Sequence, residues 1–231
     1  MYKALVTGGT KGIGAAIAER LKVCGYEVIT CARDQRATIR CDVTDAAAVE
    51  TMRENIGVID VLVNNVGGVI TTPFLKLQEK DWDWHFLLNV KSAFYCTKAF
   101  LPEMLKKRWG RIINIASTAA KMGAPYLSAY VASKHALVGF TKALAQEVAE
   151  QGVTVNAVCP SFVDTPMLRE SAERISQKTG KSPEELIQTY QSRNPQKRLI
   201  TGEEVSRAVQ FLIETPGING QAISICGGET Y

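Results

Sequence analysis

Histidine is scarce in this sequence, and its cysteines are scattered. The 231 residues include two histidines, His85 and His135, and six cysteines that form no Cys-x-x-Cys pair. Zinc sites in proteins use His and Cys ligands at short, regular spacings, so we expect no metal centre. Most of the cysteines lie in apolar runs, as reduced thiols of cytoplasmic proteins do. His135 belongs to no motif and is interpreted as a packing or interface residue.

The sequence also lacks a long hydrophobic stretch and a dense block of one charge. No apolar run has membrane-spanning length, and the opening residues MYKALVTGG contain no charged leader or cleavage site. The net charge is only +4, without the Lys/Arg density of a nucleic-acid-binding arm. We therefore expect a cytoplasmic protein with neither a membrane nor a nucleic-acid partner.

Apolar runs alternate with amphipathic segments from end to end, which indicates one α/β domain over residues 1–231. Strands that are apolar throughout and separated by helices are typical of a parallel sheet covered on both faces. The predicted fold is a Rossmann-like, doubly wound sheet in three layers. Strands are predicted at 3–8, 27–32, 37–43, 60–65, 110–117, 153–160 and 221–228. Helices are predicted at 13–24, 46–56, 81–107, 130–151 and 202–214.

The alternation is interrupted at 165–200, where the sequence is charged and helical. Ser182 and Pro183 have the pattern of a helix start, a capping residue followed by proline at the first helical position. An insertion over the carboxyl end of a sheet can cover a bound substrate. We predict a helical substrate lid near 166–200; a surface hairpin without that role is the alternative.

The segment TGGTKGIG at 7–14 lies between the first predicted strand and the first predicted helix. Gly8, Gly12 and Gly14 would allow a tight turn that brings the backbone close to a pyrophosphate at the positive end of the helix. A Gly-Lys-Ser/Thr sequence is missing from this segment, so phosphoryl transfer on a Walker-type loop is disfavoured. The context favours dinucleotide binding over a purely structural turn.

Tyr130 and Lys134 lie four residues apart in AYVASKHAL, so both side chains project from one helix face. Such a pair is common by chance and predicts no chemistry alone. It is accompanied by the glycine-rich turn, by NNVG at 64–67, and by Ser117, thirteen residues before Tyr130. With these motifs in this order, the chain resembles the short-chain dehydrogenase/reductase family from residue 4 to residue 228.

The resemblance implies a nicotinamide-dependent oxidoreductase with Asn89, Ser117, Tyr130 and Lys134 as its catalytic residues. Reduction of a ketone leaves negative charge on oxygen, which needs a proton. A nearby ammonium lowers the pKa of a phenol, so Lys134 is expected to make Tyr130 a usable acid. Ser117 would bind the substrate oxygen, with a strand-end cap as the alternative. Asn89 would hold a water that links Lys134 to solvent; the alternative is an Asn that satisfies helix backbone.

The resemblance also assigns the nucleotide contacts. Lys134 would hold the nicotinamide ribose, and Thr165 the carboxamide. Asp42 would contact the adenine, with a cap on the next helix as its alternative. The expected cofactor-binding residues are Gly8, Thr10, Lys11, Gly12, Ile13, Gly14, Arg33, Asp42, Val43, Asn65, Gly67, Tyr130, Lys134, Pro160, Val163 and Thr165.

The residues after the second predicted strand leave the choice of nicotinamide divided. An acidic residue there binds the ribose diol of NAD(H), whereas a basic one accepts the 2′-phosphate of NADP(H), and the chain has both Arg33 and Asp34. NADP(H) is favoured over NAD(H), because Arg33 comes first and Lys11 stands at the other basic position of NADP(H)-dependent family members. The segment 33–42 also looks too short for the helix of most relatives, which would open the phosphate end.

The stretches 155–167 and 224–231 are most similar to β-ketoacyl and polyketide ketoreductases and to 3-hydroxyacyl dehydrogenases. They imply a 3-oxoacyl thioester of CoA or acyl carrier protein as the substrate. An NAD-dependent dehydrogenase of a cyclic alcohol or dihydrodiol is the first alternative, and a non-catalytic nucleotide-binding scaffold is the second. The predicted helices 81–107 and 130–151 resemble those of the family's subunit interfaces, so a homotetramer or homodimer is expected.

Overall fold

Seven parallel strands form one sheet in the computed structural model, which describes residues 1–230 except the side chain of residue 178. The strand order is β3-β2-β1-β4-β5-β6-β7, as a doubly wound fold requires. Each of the seven predicted runs contains a strand. They are β1 (Lys3–Thr7), β2 (Glu27–Ala32), β3 (Ile39–Arg40), β4 (Val61–Asn64), β5 (Gly110–Ile115), β6 (Val153–Pro160) and β7 (Ala222–Ile225).

Eight α-helices accompany the sheet within residues 1–230. They are α1 (Gly12–Val23), α2 (Ala46–Ile56), α3 (Glu79–Phe86), α4 (Ser92–Lys107), α5 (Ser128–Val148), α6 (Pro166–Thr179), α7 (Pro183–Arg193) and α8 (Gly202–Glu214). α1 and α8 pack on one face of the sheet, and α2, α4 and α5 pack on the other. The predicted three-layer arrangement is confirmed. None of these eight helices is both long and apolar enough to cross a bilayer.

The sheet separates two hydrophobic cores, because successive strand residues point to opposite faces. Leu5, Leu62 and Ile112 stand side by side in β1, β4 and β5 and pack against α2, α4 and α5. Val63 and Ile113, one position further along, pack against α1 and α8. All five are fully buried, and each such side chain contributes roughly 1.5–3 kcal/mol to folding.

The strand order reverses at β1, whose neighbours are β2 on one side and β4 on the other. The chain leaves β1 and β4 towards opposite faces of the sheet, and a crevice opens at their carboxyl ends. Thr7 and Asn64 are the last residues of these two strands. The glycine-rich turn at 7–14 therefore lies where doubly wound folds bind their ligands.

α6 and α7 form the predicted helical insertion after β6. Thr165 caps α6 by accepting a hydrogen bond from the backbone of the first turn. Ser182 caps α7 in a reciprocal capping box, and Pro183 opens the helix, so the predicted helix start is confirmed. The Tyr190 ring on α7 stacks on Phe162, with centroids 4.5 Å apart, and ties the insertion to the loop after β6.

Two predicted elements differ most from those observed. The predicted helix 81–107 is divided into α3 and α4 by a π-helical turn at Leu87–Lys91. Apolar residues continue through this turn with helical spacing, so the pattern does not reveal the break. The predicted strand 37–43 is reduced to the two residues of β3. The segment 33–42 contains no helix, as its length predicts.

Candidate active site

The glycine-rich turn joins β1 to α1 in a conformation that other residues would disrupt. Gly8 and Gly12 have φ of 62° and 54°, in the left-handed region that favours glycine. A Cβ atom on Gly14 would lie 2.2 Å from the carbonyl oxygen of Gly8. Because α1 begins at Gly12, its first backbone N–H groups and positive dipole end lie at this turn, where they suit a phosphate.

Asn65, which is predicted to contact the nucleotide, braces this turn. Its Nδ2 donates to the carbonyl oxygens of Thr7 (2.9 Å) and Gly8 (3.2 Å). Its backbone N–H donates to Thr7 Oγ1 (2.9 Å). Ile13, the side chain between the second and third glycines, packs against the core under α1. Both residues therefore hold the turn in shape.

The loop after β2 contains a contact that no sequence motif indicates. The Asp34 carboxylate accepts a hydrogen bond from Thr10 Oγ1 (2.6 Å) and pairs with Arg36 (3.2 Å). The bond from Thr10, followed by that from Arg36, lowers the pKa of Asp34 to about 2. The carboxylate is therefore ionised and already occupied by neighbouring donors.

The two basic residues predicted for the 2′-phosphate are only loosely paired. Arg33 lies 3.8 Å from Asp42, and 79% of its side chain is exposed. Lys11 lies 4.0 Å from Glu170 on α6. Exposed ion pairs of this length contribute little to stability, so both cations are free to turn to another anion.

The alternative interpretation of Asp42 as a helix cap is wrong. Asp45 caps α2, whereas Asp42 accepts hydrogen bonds from the Thr44 hydroxyl (2.7 Å) and backbone N–H (3.0 Å). These bonds lower the pKa of Asp42. The side chain of Val43 is buried in the hydrophobic core, which leaves its backbone for the predicted nucleotide contact.

Tyr130 and Lys134 lie together on α5, as their spacing predicts. Lys134 Nζ lies 5.9 Å from the centroid of the Tyr130 ring. The same atom donates to the carbonyl oxygen of Ile115, the last residue of β5, at 2.9 Å. Burial lowers the pKa of Lys134 to about 8. The pair is therefore placed at the carboxyl end of the sheet.

The pKa of Tyr130 is raised rather than lowered. Burial is the main cause, and a hydrogen bond with Ser117 opposes it. The expectation that Lys134 brings the pKa of Tyr130 below its ordinary value is thus wrong in the net direction. The phenol is protonated at neutral pH and can act as a proton donor.

Ser117 lies at the end of β5, as predicted, and it also forms the strand-end cap that is its alternative role. Its Oγ accepts a hydrogen bond from Ala119 N (3.1 Å) and caps the 3₁₀ turn Thr118–Ala120 that follows β5. The same hydroxyl lowers the pKa of Tyr130, against the larger effect of burial. The cap fixes the Ser117 side chain beside the phenol.

Asn89 is buried in the π-helical turn and binds the segment that follows β4. Its Nδ2 donates to Gly68 O and Ser133 Oγ, both at 3.1 Å, and its Oδ1 accepts from Gly68 N at 2.9 Å. The alternative role on helix backbone is therefore wrong, while the predicted water stays a prediction. A Cβ on Gly67 would lie 2.8 Å from Asn89 Oδ1 and 3.3 Å from Lys134 Nζ. Because glycine has no Cβ, the backbone at residue 67 can lie close to both side chains.

The segment from the end of β6 to the start of α6 contains three predicted cofactor contacts, Pro160, Val163 and Thr165. Pro160 ends β6, and Val163 is buried and forms a β-bridge with Ile200. Thr165 faces the glycine-rich turn, since a Cβ on Gly12 would lie 3.3 Å from its Cγ2. The start of the insertion therefore meets the glycine-rich turn across the crevice.

Two observations concern the residues that the motifs leave out. Among residues 1–230, no group of three or more His, Cys, Asp and Glu side chains is placed to hold a metal ion. His135 is exposed on α5, so its interpretation as a packing residue within the chain is wrong. An interface role for His135 stays a prediction.

Known proteins resemble this chain over almost its whole length. A family model for short chain dehydrogenase matches residues 2–176. A putative ketoacyl reductase of the granaticin polyketide synthase of Streptomyces violaceoruber is 38% identical, covering 97% of this chain and 92% of its own. The 3-oxoacyl-[acyl-carrier-protein] reductase of Escherichia coli is 37% identical, covering 97% and 96%. A crystal structure of a variant of actinorhodin polyketide ketoreductase with NADPH superposes with a TM-score of 0.93 at 37% identity, covering 99% and 97%.

Proposed function

The chain belongs to the short-chain dehydrogenase family, and we propose that it reduces the keto group of 3-oxoacyl thioesters with NADPH. Membership makes it an oxidoreductase that interconverts C=O and CH–OH groups. The observation that carries the proposal is the grouping of Ser117, Tyr130 and Lys134 at the carboxyl end of β5. The ketoacyl reductases among its relatives support the thioester substrate.

The residues at the end of β1 fit a dinucleotide. The left-handed glycines bring the N-terminus of α1 to the crevice, and Gly12 leaves room in front of Thr165 that a side chain would narrow. We place the pyrophosphate at this helix end, and the nicotinamide between Thr165 and Lys134. Bound there, the cofactor would supply the hydride for the keto carbon.

In the proposed mechanism, three side chains orient the carbonyl, donate the proton and stabilise the resulting phenolate. Ser117 donates a hydrogen bond to the substrate oxygen and orients the carbonyl. Tyr130, protonated because burial raises its pKa, gives its phenolic proton to the same oxygen as negative charge develops there. Lys134 is mostly charged at neutral pH, since its pKa is about 8, and stabilises the phenolate that remains.

The charged residues near the end of β2 favour NADPH over NADH. Asp34, the carboxylate that would bind a ribose diol, is held by Thr10 and Arg36. Arg33 and Lys11 are exposed cations with long, weak ion pairs. A 2′-phosphate would give both cations a stronger partner than they have now. The similar actinorhodin ketoreductase structure contains NADPH, which supports the same choice.

A cofactor-coupled panel tests the proposed function. Acetoacetyl-CoA, a 3-oxoacyl-carrier thioester, cyclic ketones and simple ketones are each assayed with NADPH and with NADH. We expect the highest kcat/KM for a 3-oxoacyl thioester with NADPH. A preference for cyclic alcohols with NAD would support the dehydrogenase alternative. Cofactor binding without turnover of any compound would support the non-catalytic scaffold.

We propose that residues 1–231 act as one dinucleotide-binding and catalytic domain in the cytoplasm, and that α6 and α7 are its substrate lid. We propose a homodimer or homotetramer built on α4 and α5, because these helices resemble those of the family's subunit interfaces. Light scattering after gel filtration measures the number of subunits.

A further inference from the structure

His85 is a buried titratable group that the proposed mechanism does not use. It lies in the last turn of α3, just before the π-helical turn, and it is fully buried. The other histidine of the chain, His135, is exposed on α5. A fully buried histidine beside an active site needs partners for both ring nitrogens.

Both ring nitrogens of His85 contact backbone groups. Nδ1 lies 2.6 Å from the carbonyl oxygen of Asp81, and Nε2 lies 3.1 Å from the backbone nitrogen of Ile70. A carbonyl oxygen only accepts a hydrogen bond, and an amide N–H only donates one. The partners therefore specify a neutral ring with its proton on Nδ1 and a lone pair on Nε2.

The segment that His85 binds, residues 67–72, is here called the strap. It leaves the carboxyl end of β4 and is held at three points. Asn89 binds both backbone groups of Gly68, His85 binds Ile70 N, and the carbonyl oxygen of Tyr126 accepts from Thr72 N at 2.9 Å. The first of these residues, Asn89, is a predicted catalytic residue, and the third lies in the loop before α5.

The His85 ring also adjoins the proton donor. Its centroid lies 6.3 Å from that of Tyr130, in an edge-on arrangement. The His85 ring also meets the Trp84 ring edge-on, with centroids 5.0 Å apart. Trp84 in turn lies against Gly68 of the strap, where a Cβ would come within 2.6 Å of the indole. The imidazole thus connects the strap to the helix that carries Tyr130.

We propose that His85 is a positioning residue, which holds the strap beside Tyr130 as long as its ring is neutral. The part of this inference that concerns turnover rests on the proposed reduction. The structural part, a strap whose order follows the protonation of His85, does not depend on any substrate.

Protonation would break one of the three attachments. With both nitrogens protonated, Nε2 presents an N–H to the N–H of Ile70 and cannot accept its hydrogen bond. Asp81 on the same helix and Tyr130 on α5 are the ionisable groups that face the ring, and the strap itself has none. Burial lowers the pKa of His85 despite the opposing effect of Asp81. The His85 attachment therefore holds through neutral pH and is lost as pH falls through this lowered pKa, while the contacts of Gly68 with Asn89 and of Thr72 with Tyr126 remain.

Nuclear magnetic resonance tests the structural part directly. With only two histidines in the chain, long-range ¹H–¹⁵N spectra of the full-length protein give two ring patterns, and a His135→Gln variant assigns them. We expect His85 to be the neutral Nδ1–H tautomer at pH 7. On acidification, the Ile70 amide shift should follow the His85 titration, and the protection factors of residues 67–72, which allow for the slower chemical exchange at lower pH, should fall. The proposal would be overturned by an Nε2–H tautomer. It would also be overturned if the Ile70 amide shift and the exchange of residues 67–72 did not change as His85 titrates.

Two substitutions test the effect on turnover. His85→Phe keeps a ring but has no acceptor, so kcat should fall about ten-fold as the reacting groups lose alignment, with NADPH affinity unchanged. His85→Gln offers an uncharged oxygen near the Nε2 position, so it should restore most of the loss and move the acid limb of the kcat profile to lower pH. An acid limb in His85→Gln identical to that of wild type would overturn the role in turnover.

The experiments separate failure of this inference from failure of the proposed function. If His85→Phe does not fold, the comparison of His85→Gln with wild type and with His135→Gln still decides the matter. If wild-type protein reduces none of the ketones tested, the proposed function fails, while the tautomer and the exchange of residues 67–72 still confirm or overturn the positioning role.

Discussion

At the scale of single residues, the Tyr130 hydroxyl is the atom on which the proposed reduction depends. Tyr130→Phe removes the proton donor and leaves the ring in place, so kcat should fall about 10²–10⁴-fold, as expected for loss of a general acid. NADPH binding, measured by fluorescence titration, should not change. Tyr95→Phe on α4 is the matched control and should retain wild-type turnover. Near-normal turnover of Tyr130→Phe would refute the assigned acid.

Arg33 is the residue that we expect to discriminate between the two nicotinamides. Arg33→Ala removes a charged partner of the 2′-phosphate, and a charged hydrogen bond of roughly 1.5–3 kcal/mol corresponds to a rise in the KM for NADPH of about ten-fold or more. The KM for NADH should stay the same. Arg53→Ala on α2 is the control for loss of one surface cation. Equal effects on NADPH and NADH would contradict the assignment.

Single-residue contacts also show where inference from sequence stops. The structure places Ser117 after β5 and Tyr130 and Lys134 on one helix, as the motifs predict, because each follows a recognisable strand or helix pattern. The hydrogen bond from Thr10 to Asp34 and that from Ile70 to His85 join distant parts of the chain. No spacing reveals such contacts. The pKa of Tyr130 was predicted in the wrong direction, since burial depends on the packing of several elements.

At the scale of elements, the stacking of Tyr190 on Phe162 anchors the proposed lid. Tyr190→Ala removes an aromatic pair worth about 0.5–1.5 kcal/mol beyond its buried area, so hydrogen exchange in α7 should accelerate. The KM for a 3-oxoacyl thioester should rise if α7 covers the substrate. Tyr190→Phe keeps the stack and should behave like wild type. Unchanged exchange in Tyr190→Ala would show that the stack is dispensable.

The elements that follow from sequence periodicity are those with a single, regular environment. α2 and α8 have their predicted positions because the apolar residues of each helix face one layer of the fold, and the core strands have theirs because apolar residues occupy both of their faces. The π-helical turn at Leu87–Lys91 was not predicted, since it inserts a residue without disturbing the apolar pattern. β3 is shorter than its β-prone sequence because it lies at the sheet edge, with one neighbour, β2.

At the scale of the whole molecule, stability depends on side chains that join the central strands to the helices. Ile112→Ala on β5 creates a cavity beneath α2, α4 and α5 and should lower the free energy of unfolding by about 2–5 kcal/mol. Val23→Ala, at a position 72% exposed, is the control and should change it by less than about 0.5 kcal/mol. Urea denaturation measures both. A loss below about 1 kcal/mol for Ile112→Ala would mean that the core relaxes around the cavity.

The order of the strands has a consequence for how the chain is made. β1 pairs with β2 directly after it in sequence, but its other neighbour is β4, in which Val63 lies beside Val6. While the protein emerges from the ribosome, one edge of the future central strand stays unpaired until Val61–Asn64 has left the exit tunnel. A nascent chain that ends before β4 therefore presents a bare apolar strand, and we expect it to bind chaperones that the completed chain does not need.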